Sequence, residues 1–241
     1  MRPAAPACSL PARETSFAKL YRLWEELEKP GAFAYWESSL RWDPESADSA
    51  WNLRTDAFPD FQPQFPQVVL SRGSTAVDFV GGVSGIGGQG LLLSEKALGV
   101  LEGLKLPPHQ HYAVEVVHKN GKPAAQRYCW LQVLALDNHG WIDFAESRFA
   151  LKPHLDMSDA AGEPLTIGNE NDLKSLMQAK RSDFHLQFTK LALNSAYARA
   201  PFDLFYFDWL GGLASSQPIV SERLKQRLER QGLAGYRLSG L

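Results

Sequence analysis

A glycine-rich loop is the first segment of this 241-residue chain whose residue types could carry chemistry. Residues 85–90 fit the G-x-G-x-x-G pattern, which in dinucleotide-binding proteins lets backbone amides approach a pyrophosphate. The next helix, however, is expected to begin at Ser94, four residues beyond the last glycine, and the strands that follow are expected to form a hairpin. We therefore expect no nucleotide here. An enzyme or a small-molecule-binding domain that uses residues 81–90 stays as the alternative function.

Neither the histidines nor the possible nucleophiles have the spacing that metal binding or catalysis needs. His109 and His111 lie two apart, but a metal site needs three or four converging ligands, so we expect both side chains to be exposed to solvent. Cys129 lies in an apolar run and is expected to be buried and unactivated. Ser84 nearly fits the nucleophile elbow, but Ile86 replaces its final glycine. The sequence predicts no catalytic residue, no metal and no cofactor.

Two acidic regions could instead form a binding surface, and the first also contains three tryptophans. Interfaces favour aromatic anchors, and acidic groups suit a basic partner. In the alternative interpretation the tryptophans belong to the core and the acidic residues to a solvated rim. The candidate contact residues are Trp36, Glu37, Trp42, Asp43, Glu45, Asp48 and Trp51 in the first region, and Asp156, Asp159 and Glu163 in the second.

The composition narrows the class of protein. Hydrophobic residues make up 44% and charged residues 22%, which is typical of a globular chain that can bury a core. The net charge of -2 leaves no excess of positive charge to hold a nucleic-acid backbone. No stretch approaches the roughly 20 apolar residues of a membrane span, and the amino terminus lacks the apolar core of a secretory signal. We expect a cytoplasmic protein that binds neither nucleic acid nor membrane.

The order of the predicted elements indicates an α+β fold. We expect mixed, mainly antiparallel sheets with a few flanking helices, since strands and helices do not alternate regularly. Residues 1–15 are expected to be a loose tail and 16–241 a single domain. Helices are predicted at residues 16–29, 94–104, 173–181 and 221–231, strands at 33–40, 68–70, 76–80, 112–118, 126–136, 141–144, 184–193 and 236–238, and an irregular region at 41–66.

Two segments of the chain align without gaps. Residues 91–104 and 218–231 both contain an apolar pair, then Ser-Glu and a basic residue, and both reach Leu-Glu at the same distance. Serine is a good N-cap and the glutamate beside it favourably meets the helix dipole, so Ser94 and Ser221 predict two related strand–helix units. Two unrelated amphipathic helices could also share such a start.

The longer string around these segments resembles the bacterial polymorphic-toxin immunity family numbered eleven, earlier catalogued as an uncharacterised domain. The resemblance covers about residues 76–241, and residues 16–75 match no family. The sequence departs from the family pattern at the glycine-rich insert before Ser94 and at its last residues, Ser239 to Leu241. The matching pieces, in order, are 78–81, 93–96, 100–102, 112–117, 128–133, 141–143, 146–148, 205–207, 219–225 and 232–236.

The resemblance implies a protein that is encoded beside a toxin and protects the cell by binding it. It implies no catalysis. The toxin is expected to be a secretion-system effector acting in the cytoplasm, with a nuclease as the first expectation, and the free chain is expected to be a monomer or a weak homodimer.

Overall fold

A computed structural model describes residues 19–25, 34–36, 42–70, 76–81, 86–87, 89–135, 138–153, 162–180, 184–199, 201–207 and 218–241. These residues form fourteen strands and four α-helices, and the α+β prediction is confirmed. The strands are β1 (Leu20–Glu25), β2 (Ala34–Trp36), β3 (Val68–Leu70), β4 (Phe79–Val80), β5 (Gly90–Ser94), β6 (His109–Val114), β7 (Val116–His118), β8 (Tyr128–Val133), β9 (Arg148–Pro153), β10 (Glu163–Leu165), β11 (Phe184–Lys190), β12 (Leu204–Phe205), β13 (Ile219–Ser221) and β14 (Tyr236–Gly240). The helices are α1 (Glu95–Val100), α2 (Glu170–Lys180), α3 (Ser195–Arg199) and α4 (Glu222–Arg230).

The first strand–helix unit is a four-stranded antiparallel sheet of order β4-β5-β8-β6, with α1 joining β5 to β6. Since β5 and β6 both pair antiparallel with β8, they are parallel to each other and β8 lies between them. The connection through α1 is therefore a crossover around an inserted strand.

The second unit has the same order, β12-β13-β1-β14, with α4 joining β13 to β14. Its registers match those of the first unit: Ser94 lies opposite Tyr128, and Ser221 lies opposite Leu20. The place of β8 is taken by β1, which comes from near the amino terminus. The prediction of two related strand–helix units is confirmed, and the second is completed by a strand about 200 residues away in sequence.

Each unit begins its helix with the same aspartate–serine pair. Ser94 Oγ donates to Asp78 Oδ1 at 2.7 Å and accepts the amide of Ala97 at 3.1 Å. Ser221 Oγ donates to Asp203 Oδ1 at 2.7 Å and caps α4 in the same way. A hydroxyl that donates to a carboxylate and accepts from the first helical turn is held in one orientation, which fixes where each helix begins.

The second oxygen of each aspartate joins the two units. Asp78 Oδ2 accepts the amide of Ala234, which follows α4, at 3.0 Å. Asp203 Oδ2 accepts the amide of Lys105, which follows α1, at 2.9 Å. Each unit therefore binds the loop after the other unit's helix, and we call these two contacts the reciprocal clamp.

The main core lies between the two sheets and includes both helices. Equivalent positions of the two units are both buried in this core, such as Leu131 and Leu23, and Leu93 and Val220. The outer faces are covered by unlike elements. Residues 42–70 and the β2-β3-β7 sheet cover the first sheet, whereas the described residues of 138–199, with the β10-β9-β11 sheet, cover the second.

Two predicted elements are of the wrong type, and the single strand predicted at residues 112–118 is two strands, β6 and β7, in different sheets. The segment predicted as a helix at residues 16–29 contains strand β1, because its spacing of apolar residues fits a helix as well as a strand. As expected for an inner strand, Leu20 packs against the residues of 138–199 that cover the second sheet, and Leu23 packs into the main core. The strand predicted at residues 141–144 is a 3-10 turn at His139–Trp141 followed by a single bridge from Ile142 to Leu193.

Candidate functional site

The cover of the first sheet contains a concentration of negative charge, which we call the acidic segment (residues 42–67). It has five carboxylates and one cation, Arg54, a net charge of -4 (1 minus 5), whereas the whole chain carries -2. The carboxylates belong to Asp43, Glu45, Asp48, Asp56 and Asp60. The described residues of the other cover, 138–153, 162–180 and 184–199, include five acidic and six basic residues, a net charge of +1 (6 minus 5). Negative charge is therefore concentrated on one side of the fold.

Gln64 closes the acidic segment into a fixed loop. Its carbonyl oxygen accepts from Trp42 Nε1 at 3.0 Å and from the amide of Ala50 at 2.9 Å. Its own amide donates to the carbonyl of Asp48 at 2.7 Å, and its side chain donates to Asp48 Oδ2 at 2.6 Å. Prolines 44, 59, 63 and 66 prevent regular secondary structure in this segment. The four hydrogen bonds of Gln64 compensate for its absence.

Gln132 attaches the same segment to the first sheet. It lies in β8 and is fully buried, and its Nε2 donates to the carbonyl of Arg54 at 2.8 Å. The amide of Ala135 donates to the carbonyl of Thr55 at 2.7 Å. These two hydrogen bonds attach the acidic segment to the sheet. Sequence reasoning missed Gln132; the signal was a glutamine inside the otherwise apolar run of β8.

Trp51 is the large hydrophobic residue that this surface exposes, with 56% of its area accessible to solvent. Its backbone amide donates to Ser49 Oγ at 3.1 Å. Gly87 packs so closely against it that a Cβ added there would lie 2.2 Å from the Trp51 carbonyl oxygen. Asp43 and Glu45 are exposed on the same short segment, where Asp43 Oδ1 accepts the amide of Glu45 at 3.0 Å. A segment that exposes both an indole and carboxylates is a suitable contact for a cationic or mixed cationic and apolar surface.

The structure places the ten predicted contact residues differently. Trp42 is buried, 7% exposed, and supports the segment from inside. Asp48 is half-buried and is bound to Gln64 and Ser46. Glu163 is exposed in β10 of the other cover. Asp43, Glu45 and Trp51 form the exposed set described above, the backbone of Trp36 lies in β2, and Glu37, Asp156 and Asp159 lie outside the described residues.

The glycine-rich loop joins two strands. It leaves β4 and enters β5, which pair antiparallel with Phe79 opposite Leu93. In a dinucleotide site the loop runs from a strand directly into a helix, and its amides cap the phosphate there. Here a five-residue strand lies between the loop and α1. This connection differs from the one that the dinucleotide fingerprint requires; residues 82–85 and 88 lie outside the described residues.

The other chemistry-bearing residues lie apart. His109 and His111 are exposed on β6, as predicted, and His109 Nδ1 lies 2.9 Å from the carbonyl of Pro107. Burial raises the pKa of the Cys129 thiol to about 11, so this cysteine is protonated at neutral pH. In the described part of the chain no three His, Cys, Asp or Glu residues are placed to hold a metal ion.

No model of a known protein family matches the chain, and no curated protein matches it either. None of the helices in the described ranges has the length and apolar character needed to cross a bilayer.

Proposed function

We propose that this protein is an immunity protein, which binds a cognate antibacterial toxin and blocks it in a stoichiometric complex. The observation that carries the proposal is the acidic segment: an irregular surface of net charge -4, held by hydrogen bonds, that exposes Trp51. Aromatic anchors surrounded by charged residues are typical of protein-binding surfaces, and rigid presentation lowers the entropy cost of binding.

The charge of this surface favours a basic partner. Carboxylates around an aromatic anchor speed association with a positively charged protein and select against acidic ones. A nuclease that acts in the cytoplasm fits, because its substrate groove carries positive charge to hold nucleic-acid phosphates. The complex requires neither catalysis nor a cofactor in this chain.

The division of the chain gives a second support. The resemblance to immunity family eleven covers residues 76–241, which contain most of the duplicated scaffold, while the acidic segment lies before it. A common scaffold with a separate, variable contact surface is what a family that neutralises different toxins needs.

Co-expression with the toxin encoded beside this gene tests the proposal. We expect the wild-type chain to protect cells and a combined Asp43→Asn, Glu45→Gln and Trp51→Ala variant to lose protection, with toxin affinity at least about a hundredfold weaker. Glu115→Gln removes one exposed carboxylate at the β6–β7 junction, outside the acidic segment, and is the control.

The rate of association separates this surface from others. Binding through the acidic segment slows as salt rises, and the slope decreases in the triple variant. Cells that die equally with and without the wild-type chain contradict the immunity function. Full protection by a folded triple variant contradicts the assigned surface.

A further inference from the structure

Strand β14 forms one edge of the second sheet, and its outer edge has no strand partner in the described chain. The amide of Leu241 donates to the carbonyl of Leu20 at 3.1 Å, which fixes the alternation of the ladder between β1 and β14. Residues 237 and 239 therefore direct their amides and carbonyls towards β1. Tyr236, Leu238 and Gly240 direct theirs outward, where a further strand could pair with them.

We propose that this edge pairs with the β14 strand of a second copy of the chain, antiparallel and centred on Leu238. In that register Leu238 lies opposite the second copy's Leu238, and Tyr236 lies opposite the second copy's Gly240. The outward groups of both strands then form three hydrogen-bonded pairs. The two four-stranded sheets become one eight-stranded sheet around a two-fold axis.

The side chains permit this register. Tyr236, Leu238 and Gly240 lie on the face of the sheet towards α4, because their partners Tyr21 and Leu23 on β1 face the main core. A Cβ added at Gly240 would meet nothing within 4 Å, so the space beside it is open to an opposing side chain. Pairing of an aromatic residue with an edge glycine is a known stabilising arrangement in sheets.

The charges along α4 indicate a second copy as the occupant. An open groove of about 400 Å³ runs between α4 and β14 and is lined by Lys225 and Glu229. Helix α4 is antiparallel to β14, since it connects the parallel strands β13 and β14. Lys225 Nζ lies 5.2 Å from the ring of Tyr21, which is opposite Gly240. Glu229, one turn later, lies towards the Tyr236 end.

A two-fold axis at Leu238 exchanges these two ends. Within one copy, Lys225 Nζ already pairs with Glu229 Oε1 at 3.0 Å. The axis places this pair antiparallel to the same pair of the second copy, with Lys225 on the side of the second copy's Glu229, so unlike charges face each other across the axis. The equivalent positions on α1 are Leu98 and Glu102, so the same operation at the β6 edge would place an apolar side chain against a carboxylate. The complementarity belongs to β14 and not to its counterpart.

The first test is the oligomeric state of the full chain by sedimentation velocity from about 10 µM to about 1 mM. We expect a weak, reversible dimer, because the pairing is short. Gly240→Pro removes an outward amide and no hydrogen bond to β1, so it should weaken dimerisation at least about tenfold. Gly240→Ala keeps the amide, so it should dimerise much more tightly than Gly240→Pro. Glu229→Lys breaks the pair with Lys225 and puts like charges on both sides of the axis, so it should also weaken the dimer, less so at high salt.

Hydrogen exchange gives a second readout that does not depend on any variant. At high concentration the amides of residues 236, 238 and 240 should exchange more slowly, whereas those of residues 237 and 239 should be equally protected at low and high concentration. A chain that stays monomeric throughout, a dimer that Gly240→Pro leaves unchanged, or slowing at β6 in place of β14 overturns the proposal. A monomer that captures an extended peptide at this edge overturns it as well. The toxin-binding surface lies elsewhere, so none of these results affects the proposed function.

Discussion

The two strand–helix units have the same strand order, the same register and the same aspartate–serine cap, but they obtain their third strand differently. In the first unit β8 follows β6 along the chain, whereas in the second β1 is supplied from near the amino terminus. Their helices also differ: Arg227 of α4 donates to the carbonyls of Val100 and Glu102 at the end of α1, and α1 returns no such contact. The duplicated parts form the scaffold, and the parts that are not duplicated give each side its own surface.

The largest effect is expected where equivalent leucines fill the main core. Leu131→Ala in β8 and Leu23→Ala in β1 should each lower the free energy of unfolding by about 3–4 kcal/mol, because each leaves a cavity between the two sheets. Urea unfolding measures both. A loss below about 1 kcal/mol for Leu23→Ala alone would show that β1 is a peripheral strand and that the units are not equivalent.

Loss of the reciprocal clamp should have the next largest effect on stability. Asp78→Ala and Asp203→Ala each leave a serine hydroxyl and a loop amide without an acceptor, and each should cost about 2–3 kcal/mol. Similar losses would sharpen the equivalence of the units. Asp60→Ala, at an exposed position, is the control and should change stability by less than about 0.5 kcal/mol.

The two N-cap serines should differ slightly in how much they contribute to the free energy of unfolding. Ser94 is fully buried and Ser221 is half-buried, so Ser94→Ala should cost about 2 kcal/mol and Ser221→Ala about 1 kcal/mol. Thermal unfolding at pH 7 compares them, and Ser→Thr at each position should recover part of the loss because it keeps the hydroxyl. The reverse order would contradict the burial that we assign to the first cap.

The smallest effects concern the glutamates that begin the helices. Glu222 accepts a hydrogen bond from the Tyr21 hydroxyl, which holds the pKa of its carboxyl below the usual value of 4.5. A depressed carboxyl pKa adds stability that is present above about pH 4.5 and is lost as the pH falls through the folded value. The stability difference between wild type and Tyr21→Phe should therefore be constant from pH 7 to 5 and shrink towards pH 3.

Glu95 is the residue of the first unit that corresponds to Glu222, and its partner is different. It pairs with Arg127 at 2.9 Å on an open surface, where the two side chains are 53% and 84% exposed. Arg127→Gln should cost less than about 0.5 kcal/mol, and the loss should vanish in high salt. A salt-independent loss would mean that this pair is shielded from solvent.

The sequence was sufficient for features that depend on local physics. Ser94 and Ser221 predicted helix starts because an N-cap acts within one turn, and four prolines predicted the irregular acidic segment. The sequence was insufficient for β1. Its apolar spacing fits a helix as well as a strand, and pairing with residues 219–221 and 236–240 decides between them.

The same distinction holds for the candidate site. Its residue types indicated a binding surface, but burial separates Trp42, which supports the loop, from Trp51, which is exposed. That difference depends on Gln64 and Gln132, whose hydrogen bonds cross 22 and 78 residues of sequence. Asp78 and Asp203 could have been found by comparing the residues that precede each Ser-Glu pair, since each aspartate stands directly before two apolar residues.

The origin of β1 also has a consequence for the order in which the protein is made. All four strands of the first sheet have been synthesised once residue 133 is complete, but β1 must wait for its partners β13 and β14. At about 5–20 residues per second, the roughly 200 residues between Leu20 and Ile219 take about 10–40 s on the ribosome. During that interval β1 has no strand to pair with, so the first unit should fold on the nascent chain before the second, which closes only after β13 and β14 have been synthesised.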